Sequence, residues 1–129
     1  MPDAGFVHLH VHSEYSILDG ACRIPDLVAR AAELGMPAVS LTDHGSMAGA
    51  VQLFKETKET GVKPIIGCEV YVTDDRRAQK KGNAHLTLLA QDTTGYGNLI
   101  KLSSLGYLEG DYYKPRVDWE LLSTHCAGV

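Results

Sequence analysis

Short apolar, β-branched runs alternate along this chain with stretches whose apolar positions recur at helical spacing, and this alternation restricts the available folds more than any other feature. Phe6 to Val11 reads as a strand. Pro25 and Asp26 open a helix whose buried stripe is Leu27, Val28, Ala31 and Leu34, and Gly35 with Pro37 stops it. Ala38 to Thr42 is a short buried strand. Met47, Ala50, Val51 and Phe54 then give the apolar face of a second helix, with Lys55 and Glu59 on its wet side. Gly61 ends it, and Pro64 to Val72 forms a third strand. Asp74 to Asn83 is polar and basic, hence a loop, and His85 to Ala90 is a fourth strand. Tyr96, Leu99, Ile100, Ser103 and Tyr107 mark a third helix. After Gly110 the chain looks irregular, apart from a short helix near Asp118 to Thr124. Strands and helices in alternation, joined by short connections, imply right-handed parallel crossovers and therefore an α/β sheet or barrel. The strands are too apolar on both faces for a solvated antiparallel sheet.

Composition narrows the function classes. The 129 residues, 44% hydrophobic and 22% charged, describe one globular domain or a piece of one. A net charge of −4 argues against holding nucleic acid through this segment's own positive field. No apolar run nears the ~20 residues that span a bilayer. Met1 to Gly5 lacks the pattern of a secretory leader. Three widely spaced cysteines, Cys22, Cys68 and Cys126, fit a reducing cytoplasm rather than a disulfide framework.

The polar residues that interrupt the strands carry the chemistry. In "FVHLHVHS", His8, His10 and His12 sit at alternate positions, so on a strand they share one face while Val7, Leu9 and Val11 take the other. Asp19 lies in the following loop, Thr42-Asp43-His44-Gly45 ends the second strand, Glu69 interrupts the third and His85 opens the fourth. A buried Glu69 would cost several kcal/mol unless paired or metal-bound. Imidazoles and carboxylates delivered by four strands suit Zn²⁺, Mn²⁺ or Fe²⁺. Each residue also has a plainer reading. The histidines could face solvent, Asp19-Gly20 could be turn chemistry, and Asp43, like His8, fits a role orienting a ligand. His125, beside Cys126, reads as solvated. Arg76, Arg77, Lys80 and Lys81 read as a solvated basic loop, with phosphate contact the lesser option. Tyr112-Tyr113-Lys114 could stack on a base or supply core or interface tyrosines.

Taken together, these residues resemble the PHP (polymerase and histidinol phosphatase) family. The segments "FVHLHVHSEYSILDGACRI", "LGMPAVSLTDHGSMAGAV", "GVKPIIGCEVYV", "HLTLLAQDTTGYGNLIKLSSLGYLEG" and "YYKPRVDWELL" are similar to the branch found at the amino terminus of bacterial replicative DNA polymerases. The likeness runs from about Phe6 to Val129. Leu18-Asp19-Gly20, Thr42-Asp43-His44-Gly45 and Tyr107-Leu108-Glu109-Gly110 are its most specific segments, and the Gly95 to Asp118 stretch speaks against a free-standing small-molecule phosphatase.

The resemblance implies a distorted (β/α)7 barrel, related to a TIM barrel, with up to three divalent metal ions at the carboxyl ends of its strands. Residues 1–129 would be the amino-terminal portion of a single such domain, with later strands and the polymerase core absent. His10, His12, Asp19, His44, Glu69 and His85 match metal ligands, Glu69 as a bridge, with His12, His44 and Glu69 central to catalysis. None of these positions is substituted, which favours retained metal binding. The implied activity is metal-dependent phosphoester hydrolysis within a DNA-directed DNA polymerase, as a 3′–5′ proofreading exonuclease or a pyrophosphatase. The other function in view is a non-catalytic scaffold that steadies the polymerase and docks a proofreading subunit. Implied partners are DNA, reached through the full polymerase, a proofreading exonuclease subunit and a sliding clamp, with no membrane. The one difficulty is His85, which a parallel fourth strand would put at the end away from the site.

Overall fold

A computed structural model describes residues 5–129. Of the stretch from Met1 to Gly5 read for a leader, residues 1–4 lie outside the described residues. The elements run α1 (Ile24–Glu33), β1 (Ala38–Leu41), α2 (Ala50–Thr57), β2 (Lys63–Val72), β3 (Ala84–Leu89), α3 (Thr93–Glu109), β4 (Asp111–Tyr112), β5 (Lys114–Val117) and α4 (Trp119–Thr124). They form a mixed α/β sheet of the TIM-like barrel kind, part of a barrel, in which the hydrogen-bonded path runs β1-β2-β5-β4 and β3 also pairs with β2.

Two apolar clusters hold the helices to the sheet. Val39 and Leu41 of β1 pack with Ile24, Val28 and Ala31 of α1, Leu53 of α2 and Val62. Cys68, Val70 and Val72 of β2 pack with Leu99 and Leu102 of α3, Val117 of β5 and Leu121 and Leu122 of α4. Alternation then turns Glu69 and Tyr71 to the opposite face of β2. Side-chain caps fix two helix starts: Asp92 accepts from Gly95 N–H at 2.9 Å and Asp118 from Leu121 N–H at 3.1 Å. No helix of the described residues is long and apolar enough to cross a membrane.

The structure departs from the sequence expectations in five places. The stretch from Phe6 to Val11 is not a regular strand. Ser40 N–H reaches His8 O at 3.0 Å and Thr42 N–H reaches Val11 O at 2.8 Å, so three residues of the segment span two of β1. This bulge breaks the alternation beyond His8, and the Thr42 hydroxyl takes the displaced Val11 N–H at 2.9 Å. Second, β3 runs antiparallel to β2, pairing Val72 with Ala84, Tyr71 with His85 and Glu69 with Thr87. His85 thus lies beside the carboxyl end of β2, and the conflict over its position disappears. Third, two helix faces differ: Leu34 of the expected α1 stripe lies just past the helix and is about half exposed, and α2 buries Ala50, Leu53 and Thr57, whereas Val51 and Phe54 are about half exposed. Fourth, the stretch after Gly110 contains a tight hairpin, β4–β5, rather than irregular chain. Fifth, Arg76 is buried, not solvated. Its guanidinium meets Asp118 at 2.9 Å, Glu109 at 2.8 Å and Glu120 at 2.7 Å.

Candidate metal centre

The β1–β2 register places two of the expected residues side by side. Ala38 pairs with Lys63 and Leu41 with Ile66, and the same offset continued past β1 bridges His44 to Glu69. Gly45 N–H donates to Glu69 O at 2.8 Å, while Glu69 N–H donates to Asp43 O at 3.0 Å. Gly45 has a φ of 59°, and a Cβ there would lie 2.7 Å from Pro115 Cγ, so the turn after His44 admits no larger residue without displacement.

Asp43 is buried and braces the loop that carries Asp19. Its carboxylate accepts from Ser13 N–H at 2.6 Å, Ser13 Oγ–H at 2.7 Å and Ser16 Oγ–H at 2.7 Å. The Ser16 hydroxyl in turn accepts from His44 N–H at 3.1 Å. These bonds use the Asp43 carboxylate away from the cluster and fix where His44 and the loop stand.

Glu69 is the centre of the arrangement. Its side chain is 3% exposed and has no Lys or Arg partner among the described residues; its neighbours are imidazoles. Oε2 contacts His10 Nε2 and lies 3.4 Å from His12 Nε2. Oε1 contacts His85 Nδ1 and lies 3.2 Å from His44 Nδ1. On its far side, His44 Nε2 meets Asp19 Oδ2 at 2.9 Å. His10, His12, Asp19, His44, Glu69 and His85 therefore gather at one place, in three overlapping triads whose ligand atoms lie within 4.8 Å of one another. His8 stands outside them, exposed, its ring edge-on to Phe6 at 4.8 Å. His125 caps α4 and Cys126 is exposed, and neither belongs to these triads.

The donor set fits cations by its own chemistry. His12 Nδ1–H donates to Thr42 O at 2.9 Å, which leaves Nε2 with a bare lone pair facing the Glu69 carboxylate. His44 Nδ1 is buried without a hydrogen-bond partner. Lone pairs turned on a buried carboxylate repel one another unless a cation or a proton lies between them. Burial raises the Glu69 pKa, but contacts with His10 and His85 and the charge of His44 overbalance it, so the carboxyl titrates below its ordinary value. The hydrogen bond from His44 likewise lowers Asp19.

Tyr71 was not singled out from sequence, though its spacing two residues from Glu69 puts it on the same face. Its ring lies 5.0 Å from His85 and 5.8 Å from His44, closing one side of the cluster. A cavity of about 340 Å³ opens beside it, lined among others by Asp19, His44, Tyr71, His85, Tyr107 and Lys114.

The barrel-type α/β fold of this chain is shared with solved structures. A protein from Bifidobacterium adolescentis assigned as a metal-dependent phosphoesterase superposes with a TM-score of 0.57 at 20% identity, over 79% of this chain and 33% of its own. An amidohydrolase from Chromobacterium violaceum does so with a TM-score of 0.55 at 24% identity, over 78% and 32%. The PHP domain profile matches residues 8–129, and the chain belongs to that family. Among curated relatives, the DNA polymerase III subunit alpha of Chlamydia trachomatis is 50% identical over 96% of this chain, and that of Borreliella burgdorferi 46% over 96%. The Treponema pallidum subunit is 50% identical over the whole chain. The chain spans only about a tenth of the length of these relatives, 10–12%.

Proposed function

We propose that residues 1–129 are the amino-terminal portion of a PHP domain in a replicative DNA polymerase alpha subunit, and that the clustered residues hold divalent cations for phosphoester hydrolysis. The observation that carries this reading is the buried Glu69 carboxylate faced by ring nitrogens of four imidazoles, His10, His12, His44 and His85. His10, His12, Asp19, His44, Glu69 and His85 would be the ligands, for up to three ions of Zn²⁺, Mn²⁺ or Fe²⁺, with Glu69 shared between them. Bound cations of this class lower the pKa of water and stabilise the oxygens of an in-line displacement at phosphorus.

The chain's own groups prepare that chemistry. Thr42 O fixes the His12 tautomer, so that Nε2 is the free nitrogen. Asp43, through Ser16, sets the His44 backbone. Tyr71 shields His44 and His85 on one side. The substrate is the phosphodiester of a DNA 3′ end or pyrophosphate. DNA reached through the full polymerase, a proofreading exonuclease subunit and a sliding clamp are the partners that go with this assignment, in the cytoplasm.

The test is metal analysis and hydrolysis assays on the full-length polypeptide. Bound transition metal is expected, with His12→Ala and Glu69→Ala abolishing hydrolysis of both substrates. Wild-type rates in either variant overturn the proposal, and tight metal binding without turnover on either substrate points to the scaffold role instead.

A further inference from the structure

The β4–β5 hairpin turns through Tyr113, whose φ of 63° is the one left-handed value at a non-glycine position among the described residues. An aromatic residue is disfavoured there, and such a conformation persists where its surroundings over-determine it. They do so here. Pro115 holds Lys114 in extended backbone, and its ring abuts Gly45, next to His44. The buried Arg116 guanidinium donates to the carbonyls of Gly110 at 3.0 Å, Lys80 at 2.8 Å, Arg76 at 3.0 Å and Ala78 at 2.9 Å.

The result of this bracing is the placement of Lys114. Its ammonium lies 5.2 Å from the centroid of the Tyr71 ring, the same ring that packs against His44 and His85. It is half-buried and has no ion-pair partner among the described residues, whereas Arg30, Arg76 and Arg77 each have a carboxylate. Of the side chains lining the 340 Å³ cavity, Lys114 is the only lysine or arginine. The clustered imidazoles and carboxylates suit cations. They include no lysine or arginine of their own to meet the negative oxygens of a phosphoester beside those cations, and a lysine ammonium is a common point-charge partner for such oxygens.

On the phosphoester reading above, we propose that Lys114 is a substrate-positioning residue that binds a non-bridging phosphoryl oxygen at the mouth of the site. A DNA 3′ end and pyrophosphate both carry that group.

The test uses the full-length polypeptide with Lys114→Gln and Lys114→Arg. Inorganic phosphate binding is titrated calorimetrically, metal content is measured, and kcat and KM are taken for pyrophosphate and for a single-stranded 3′ end. Lys114→Gln is expected to weaken phosphate binding and to raise KM by about tenfold or more, with kcat changed less than about threefold and metal content unchanged. Lys114→Arg should restore most of the loss. A rise in KM for one substrate alone identifies the source of the phosphoryl group. Unchanged phosphate binding in Lys114→Gln overturns the proposal, as does loss of metal in that variant, which would make the residue structural. If the unsubstituted protein holds metal but hydrolyses neither substrate, the phosphoester reading fails by itself, and the phosphate titration still decides the role of Lys114.

Discussion

Replacing Arg76 with methionine keeps the aliphatic stem and deletes the guanidinium, so the change isolates a buried charge. The Arg76 side chain is 4% exposed and that of Asp118 is 6%, whereas Glu109 and Glu120 reach solvent. One carboxylate is therefore stranded by the substitution, not three. Asp118 keeps two of its partners, Leu121 N–H and the backbone N–H of residue 76. Breaking a buried pair from one side costs roughly 3–5 kcal/mol, and these retained bonds put the expected loss at the lower end, about 3 kcal/mol. With a urea m-value of about 1.5–2 kcal/mol/M, the unfolding midpoint should fall by about 1.5–2 M. Trp119 is the one tryptophan of the chain and adjoins Asp118, so its fluorescence reports on this corner. A solvent-screened pair would contribute about 0–1 kcal/mol, so a midpoint shift below about 0.5 M refutes the reasoning.

Further outcomes follow from the same contacts. Burial raises the Asp118 pKa, but bonds from Leu121 N–H and the backbone and guanidinium of Arg76 overbalance it, leaving the group below its usual 3.8. The unfolded chain then takes up that proton first, so this contribution is present above about pH 4 and is lost as pH falls further; Asp118→Asn should flatten the acid limb of a stability-versus-pH curve. Leu53→Ala, at a fully buried position, should cost about 2–5 kcal/mol, and the neighbouring Phe54→Ala, at a half-exposed one, less than about 1 kcal/mol in the same urea titration. Equal losses would mean that α2 is turned the other way. Burial pushes the Cys68 thiol up to about 12, whereas Cys22 and Cys126 are exposed. Alkylation near pH 8 followed by mass spectrometry should label those two in the native protein and all three after unfolding.

Much of this was legible in the sequence, for identifiable reasons. The spacing of β1, β2 and the helices is written in apolar runs and stripes, and those elements form where expected. His10, His12, Asp19, His44, Glu69 and His85 stood out because each interrupts an apolar context or closes one, and the fold brings all six together. Strand direction was not legible, since a period of two is the same read either way; β3 could be oriented only by its pairing with β2. The phase of α2 was ambiguous because Leu53 and Phe54 are adjacent and both apolar. Arg76 looked solvated because its partners Glu109, Asp118 and Glu120 lie more than thirty residues on, where composition gives no hint of contact. The bulge after His8 depends on the Thr42 hydroxyl, a single atom no pattern announces.

Because β3 returns antiparallel, the stretch from Thr73 to Asn83 is a hairpin connection that begins and ends on the rim of the His and carboxylate cluster. A helical crossover would instead carry the chain to the far side of the sheet before it came back. Here, side chains at the exposed positions of the connection, the buried Arg76 apart, can change while β2, β3 and their register stay put, so access to the centre is adjustable separately from the centre itself. The grip of Arg116 on the carbonyls of Arg76, Ala78 and Lys80 makes that rim a fixed wall rather than a swinging door.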